Sequence, residues 1–223
     1  MINNGNDHLS AKATKRTIVI ATKNRGKLLE FQHALAGLDV AVVSLLDYPA
    51  IADIEEDGDT FIANARKKAE TAANLLGVPV LADDSGLCVT ALGGAPGIYS
   101  ARYAGEPAND AANNEKLLQQ LLLQPSVEHT VVREQYKLLS KAQFVCVLSL
   151  YDPAERRFIE AEGTVDGYIL DQPLGTFGFG YDPLFWLPSL DKSVAELTPT
   201  EKQSISHRGH ALEKLLPQLE KFI

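Results

Sequence analysis

The run Thr17-Ile18-Val19-Ile20-Ala21 gives way to Thr22-Lys23-Asn24-Arg25-Gly26-Lys27, after which Leu28, Phe31, Leu35 and Leu38 recur at helical spacing. The β-branched run, the polar break and the change of period mark a strand, a loop and an amphipathic helix. A chain that opens this way must cover a sheet with helices, and the rest keeps to the same pattern. Val40–Ser44 reads as a second strand. The acidic loop Asp53-Ile54-Glu55-Glu56-Asp57-Gly58-Asp59 leads into a helix capped by Asp59 or Thr60 and stopped by Gly77 and Pro79. Residues 78–82 and 87–92 are apolar runs parted by Asp83-Asp84-Ser85-Gly86, which reads as two strands, or a strand and its continuation, flanking a carboxylate-bearing turn. Asn109 caps a leucine-rich helix, and residues 125–141 read as a polar connector, partly helical. Residues 142–151 and 157–164 form a hairpin turned by Asp152-Pro153, and residues 175–186 form a loop of alternating glycines and aromatics. Thr198-Pro199-Thr200-Glu201 is a capping box with proline at the first helical position, so a helix starts there. The sequence leaves open whether it runs on through His207-Arg208-Gly209 or restarts at Ser206.

Strands mixed with helices throughout give an α/β or α+β chain. At 223 residues it is long enough to bury roughly 70–75% of its unfolded surface without staples. Residues 1–16 are expected to form a loose tail and residues 17–223 one domain. Cys88 and Cys146, the only cysteines, sit in apolar stretches and read as two buried thiols in a reducing, cytoplasmic setting. Their number excludes a disulfide framework or a zinc site. A net charge of −8 argues against nucleic-acid binding, and no run reaches the ~18 apolar residues of a membrane helix.

Four segments carry residue types that chemistry needs. A strand-to-helix junction offers free amides to an anion, and Thr22, Asn24 and Lys27 stand there with Lys23 and Arg25 adding charge. An ordinary βα connection with solvated lysines accounts for the same residues. Asp83 and Asp84 lie between apolar strand residues, where carboxylates need compensation, and alternation sends them to opposite sides. The acidic loop adds hard oxygen donors suited to Mg²⁺. In Gly178-Phe179-Gly180-Tyr181-Asp182 the glycines admit a ligand close to the backbone, and Phe179 and Tyr181 offer flat faces to a base. Lys202, His207 and Arg208 bring three potential cations together; a solvated helix face is the plainer alternative.

Together, Ala21 to Lys27, Ala82-Asp83-Asp84-Ser85-Gly86-Leu87, the glycine-rich Gly93 to Arg102, Gly178 to Pro183 and Ser206-His207-Arg208-Gly209 resemble the inosine/xanthosine triphosphate pyrophosphatases, in order along the chain. The resemblance implies their fold, a long mixed sheet flanked by helices that form two lobes with a central cleft. It also implies a homodimer, Mg²⁺, and hydrolysis of non-standard purine nucleoside triphosphates to monophosphate and pyrophosphate. Carried over by position, Thr22, Lys23, Asn24, Arg25, Gly26 and Lys27 would bind the triphosphate. Asp84 would be the general base and touch the metal, with Glu55 as the second metal carboxylate. Ser85, Phe179, Gly180, Tyr181, Asp182, Lys202, His207 and Arg208 would contact the substrate, and Lys68 would lie near the phosphates. Ala63 stands where many members have glutamate. Alternatives are a nucleotide pyrophosphatase of other specificity and a nucleotide-binding regulator without turnover.

Overall fold

In the computed structural model, which describes residues 16–124 and 130–222, the opening strand β1 (Arg16–Ile20) pairs in parallel with β2 (Val40–Ser44) on one side and β3 (Val80–Val89) on the other. The helix between β1 and β2 is α1 (Arg25–Ala34), and α2 (Phe61–Leu76) precedes β3. Beyond β3 the sheet turns antiparallel through the long strands β5 (Tyr136–Asp152) and β6 (Arg157–Leu170), and short β7 (Phe185–Leu187) and β8 (Lys192–Ser193) complete it; β4 (Thr130–Val132) pairs with β5. Helices α3 (Asp110–Leu122), α4 (Pro199–Ile205) and α5 (His207–Phe222) complete a mixed, helix-flanked sheet.

Strand alternation divides the core. Ile18, Ile20, Leu81 and Leu148 face Phe31 of α1, Leu35 at its C-cap, and Ala211, Leu212 and Leu215 of α5. Full burial of a side chain such as Phe31 contributes about 1.5–3 kcal/mol. The opposite set, Val19, Ala21, Val80 and Ala82, meets α2 through Ala69, Ala72 and Ala73, whose small size lets the helix lie close to the sheet. Past the middle of β3 a separate cluster gathers Leu87, Val89, Phe144, Ile169 and Phe185 under Leu117 and Leu121 of α3. The two ends of the sheet are therefore packed as two lobes.

The structure departs from the sequence expectations at several points. Asp83 to Gly86 form no turn; β3 runs straight through them, paired with Leu148, Val147, Cys146 and Val145 of β5, because their polar atoms find tertiary partners. The connector expected at 125–141 contains β4 and the first residues of β5; residues 125–129 lie outside the described set. β6 continues to Leu170, beyond 164. Cys146 is buried but Cys88 only half-buried, and both are free. Arg16 belongs to β1, and the expected tail otherwise lies outside the described residues. Thr60 is the α2 cap, and the C-terminal helix does restart, with Ser206 accepting from the Gly209 amide. Among the described residues no helix is long and apolar enough to cross a membrane.

Candidate active site

The site forms where the β1–α1 loop runs beside β3. Asn24 caps α1, its Oδ1 accepting from the Lys27 amide at 3.1 Å, and Thr22 Oγ1 accepts from the Asn24 amide at 3.1 Å. That leaves the first amides of α1, those of Arg25 and Gly26, without intrahelical acceptors and aimed along the positive end of the helix dipole. The Phe179 ring lies close over this loop: a β-carbon on Gly26 would stand 2.7 Å from its Cδ1. An anion-binding turn and an aromatic face thus share one cleft, also lined by Ser85, Tyr181, Lys202, His207 and Arg208.

Asp83 projects to the α1 and α5 side of the sheet. Its Oδ2 accepts from Arg208 Nη2 at 2.8 Å and from Ser85 Oγ at 3.1 Å, and lies 2.9 Å from Lys27 Nζ. Burial pushes its carboxyl up, but Lys27 and Arg208 outweigh that and hold it well below the usual carboxylate range. Glu30 pairs with Arg208 and, at 2.8 Å, with Lys202, which reaches Asp182 at 2.6 Å and stands 4.5 Å from the centre of the Phe179 ring. Arg208 Nε is buried without a hydrogen-bond partner. His207 is buried and stacked on Phe144 at 4.7 Å. Burial first, and then Arg208 and Lys202, hold its pKa well below the ordinary 6.5, so it is a neutral donor or acceptor rather than the third cation expected from sequence.

Asp84 projects to the α2 side. Asn64 Nδ2 donates to its Oδ2 at 3.0 Å, and Lys68 Nζ lies 3.7 Å from its Oδ1 and 2.5 Å from Glu56 Oε1. Arg102 holds Glu56 from the other side, 3.6 Å away. Burial raises the Asp84 pKa; Lys68 opposes this and Glu56 adds to it. The carboxylate brought to Asp84 is therefore Glu56. Glu55 is exposed, because the extended chain alternates and turns Ile54, Glu56 and Gly58 inward. Asp84 and Glu56 offer hard oxygens of the kind a divalent ion takes, on either side of the Lys68 ammonium, although among the described residues no group of three or more carboxylate, histidine or cysteine side chains is placed to hold a metal. Lys23 turns from the cleft to Asp53 and the Ile51 carbonyl, and Arg25 is exposed.

A model of the Ham1 family matches residues 18–218. The chain belongs to the Ham1 family. A protein named dITP/XTP pyrophosphatase from Halalkalibacterium halodurans is 51% identical over 197 residues, spanning 88% of this chain and 95% of the relative. One from Geobacillus kaustophilus is 49% identical over 93% of this chain and 96% of its own length. Among solved structures, a HAM1 protein from Coxiella burnetii superposes with a TM-score of 0.80 at 40% identity, covering 92% of this chain and 99% of that one. The Staphylococcus aureus Ham1 protein gives 0.77 at 43%, covering 93% and 100%. In this Ham1 family member, sequence reasoning placed Glu56 within the acidic loop of Mg²⁺ donors without singling it out from Glu55, and missed Glu30 and the tie from Asn64 to Asp84. Glu30 lies three residues beyond Lys27, on the same face of α1, which is a signal for it.

Proposed function

We propose that the chain hydrolyses non-standard purine nucleoside triphosphates of the inosine and xanthosine type, deoxy forms included, to monophosphate and pyrophosphate. The observation that carries the reading is the Phe179 ring set directly over Gly26, which joins a flat surface for a base to a helix N-terminus for phosphates. Asp84, with its raised pKa, is suited to orient and deprotonate the attacking water. Lys27 and the first amides of α1 stabilise charge on the departing pyrophosphate. Asp84 and Glu56 would hold Mg²⁺, which when bound supplies charge neutralisation at the phosphates. Arg208 Nε, a buried donor with no partner, and neutral His207 suit the acceptor oxygen of a 6-keto purine. A 6-amino group there would leave donors unpaired, at about 1–3 kcal/mol each. The homologues' names support the substrate class. A homodimer is proposed from the family resemblance and is checked by sedimentation.

The test is pyrophosphate release from deoxyinosine, xanthosine, deoxyadenosine and deoxyguanosine triphosphates, with Mg²⁺ and with EDTA, for wild type and Asp84→Asn. Metal-dependent release confined to the first two, and reduced ~10²–10⁴-fold in the variant, is expected. Equal turnover of all four would replace this reading with a pyrophosphatase of broad specificity, and saturable binding without release would make the chain a regulator.

A further inference from the structure

We infer that the first turns of α3 set the geometry of the aromatic loop, with Asp110 and Asn114 as positioning residues for base recognition; the inference rests on the nucleotide reading above. Asp110 Oδ2 accepts from the Gly180 amide at 2.7 Å, and Asn114 Nδ2 donates to the Gly180 carbonyl at 3.0 Å. The two side chains are one helical turn apart and share a face. Both backbone hydrogen-bonding groups of Gly180 are thus held by one rigid element. Gly180 lies between Phe179 and Tyr181, so the clamp fixes the peptides that aim both rings.

The same face holds the opposite wall of the cleft. Asn113 Oδ1 accepts from the Ala104 amide at 2.7 Å, and its Nδ2 donates to the Ala101 carbonyl at 3.0 Å. Tyr181 Oη then ties the walls together by donating to the Ser100 carbonyl at 2.9 Å. Helix formation does not explain this choice of residues. Asparagine is a poor helix former because its side chain competes for backbone groups, yet two stand side by side at 113 and 114. An aspartate at the first helical position is favoured by the dipole alone, but a carboxylate bonded to a loop amide some 70 residues away in sequence has a second task.

A loop ordered before substrate arrives spares the binding step the cost of ordering it. Releasing it should weaken binding while the chemistry at Asp84, on the other side of β3, continues. Asp110→Ala and Asn114→Ala are each expected to raise KM for deoxyinosine triphosphate about tenfold, with kcat within about twofold of wild type. Asp110→Asn, whose amide oxygen can accept the same bond, should restore most of the loss. Glu115→Gln, on the same helix, should leave both constants unchanged. Hydrogen exchange at the Gly180 amide should accelerate in Asp110→Ala while the amides of β5 keep their protection. Unchanged KM in both alanine variants, or a fall in kcat alone, would overturn the positioning role. Unaltered Gly180 exchange in Asp110→Ala would overturn the clamp itself. A wild type that turns over no triphosphate would overturn the nucleotide reading instead, with the exchange measurement still reporting on the clamp.

Discussion

Asp83 and Asp84 are neighbours that leave β3 on opposite faces, and their different company gives them different chemistry. Asp83 is locked as a carboxylate by Arg208 and Lys27, so it can position cations but is a weak base. Asp84 has one distant ammonium and one amide donor, and its raised pKa makes it the better proton acceptor. The same parity argument separates Glu55 from Glu56. Glu56→Gln is expected to raise the Mg²⁺ concentration for half-maximal activity by roughly 10- to 100-fold, and Glu55→Gln to leave it within about twofold. A Mg²⁺ titration of both variants decides it, and the reverse ranking would return the metal to Glu55. The Glu56 position was legible in the sequence, because Ile54 must face inward and an extended chain carries Glu56 to the same side. The pairing of Glu30 with Arg208 was not, since nothing local says that residues 30 and 208 meet.

At the scale of elements, strands and helices with ordinary signals were readable: β1 and β2 from their β-branched runs, α2, α3 and α4 from their caps. The failures have specific causes. Asp-Ser-Gly is turn chemistry by composition, but in β3 the ladder to β5 and the partners Arg208, Lys68 and Asn64 override it. The β4–β5 hairpin turns through Arg133 and Glu134, both at positive φ, where the usual glycine or asparagine signal is missing. Arg133 is fixed by Glu196 at 2.8 Å and lies over the Trp186 ring, contacts that a local reading of sequence does not contain. Placement of α5 depends on Gly163 in β6, where a β-carbon would collide with the His207 carbonyl and the Ala211 amide. Gly163→Ala should therefore push the N-terminus of α5, with His207 and Arg208, off the sheet. A loss of about 1–3 kcal/mol in denaturant unfolding is expected, together with a raised KM. Wild-type values of both would show that α5 yields without cost.

Over the whole molecule, the acidic chain keeps its cleft nearly neutral by pairing: Lys27 and Arg208 with Asp83, Lys68 and Arg102 with Glu56, Lys202 with Glu30 and Asp182. These groups make stability depend on pH in opposing directions. Asp83 and Glu30 have lowered folded pKa values, so their stabilisation is present above the ordinary carboxylate range and is lost as pH falls through and below it. Asp84 and Asp182 are raised, so they favour the fold at low pH and lose that contribution as pH rises through their folded values. His207 acts earliest on acidification. Below its ordinary 6.5 the unfolded chain takes up a proton that the buried imidazole refuses, so stability falls as pH falls, by up to about 1.4 kcal/mol per pH unit for one proton. His207→Gln removes that proton from the unfolded state and keeps a polar side chain beside Phe144. Denaturant unfolding of wild type and His207→Gln from pH 7.5 to about pH 5 should therefore show the largest difference in stability at the neutral end, shrinking on acidification as the wild type alone pays the His207 protonation cost. A difference constant across that range would mean that the imidazole takes up its proton equally in the folded and the unfolded chain, and the idea that burial keeps His207 neutral below its ordinary 6.5 would fall with it.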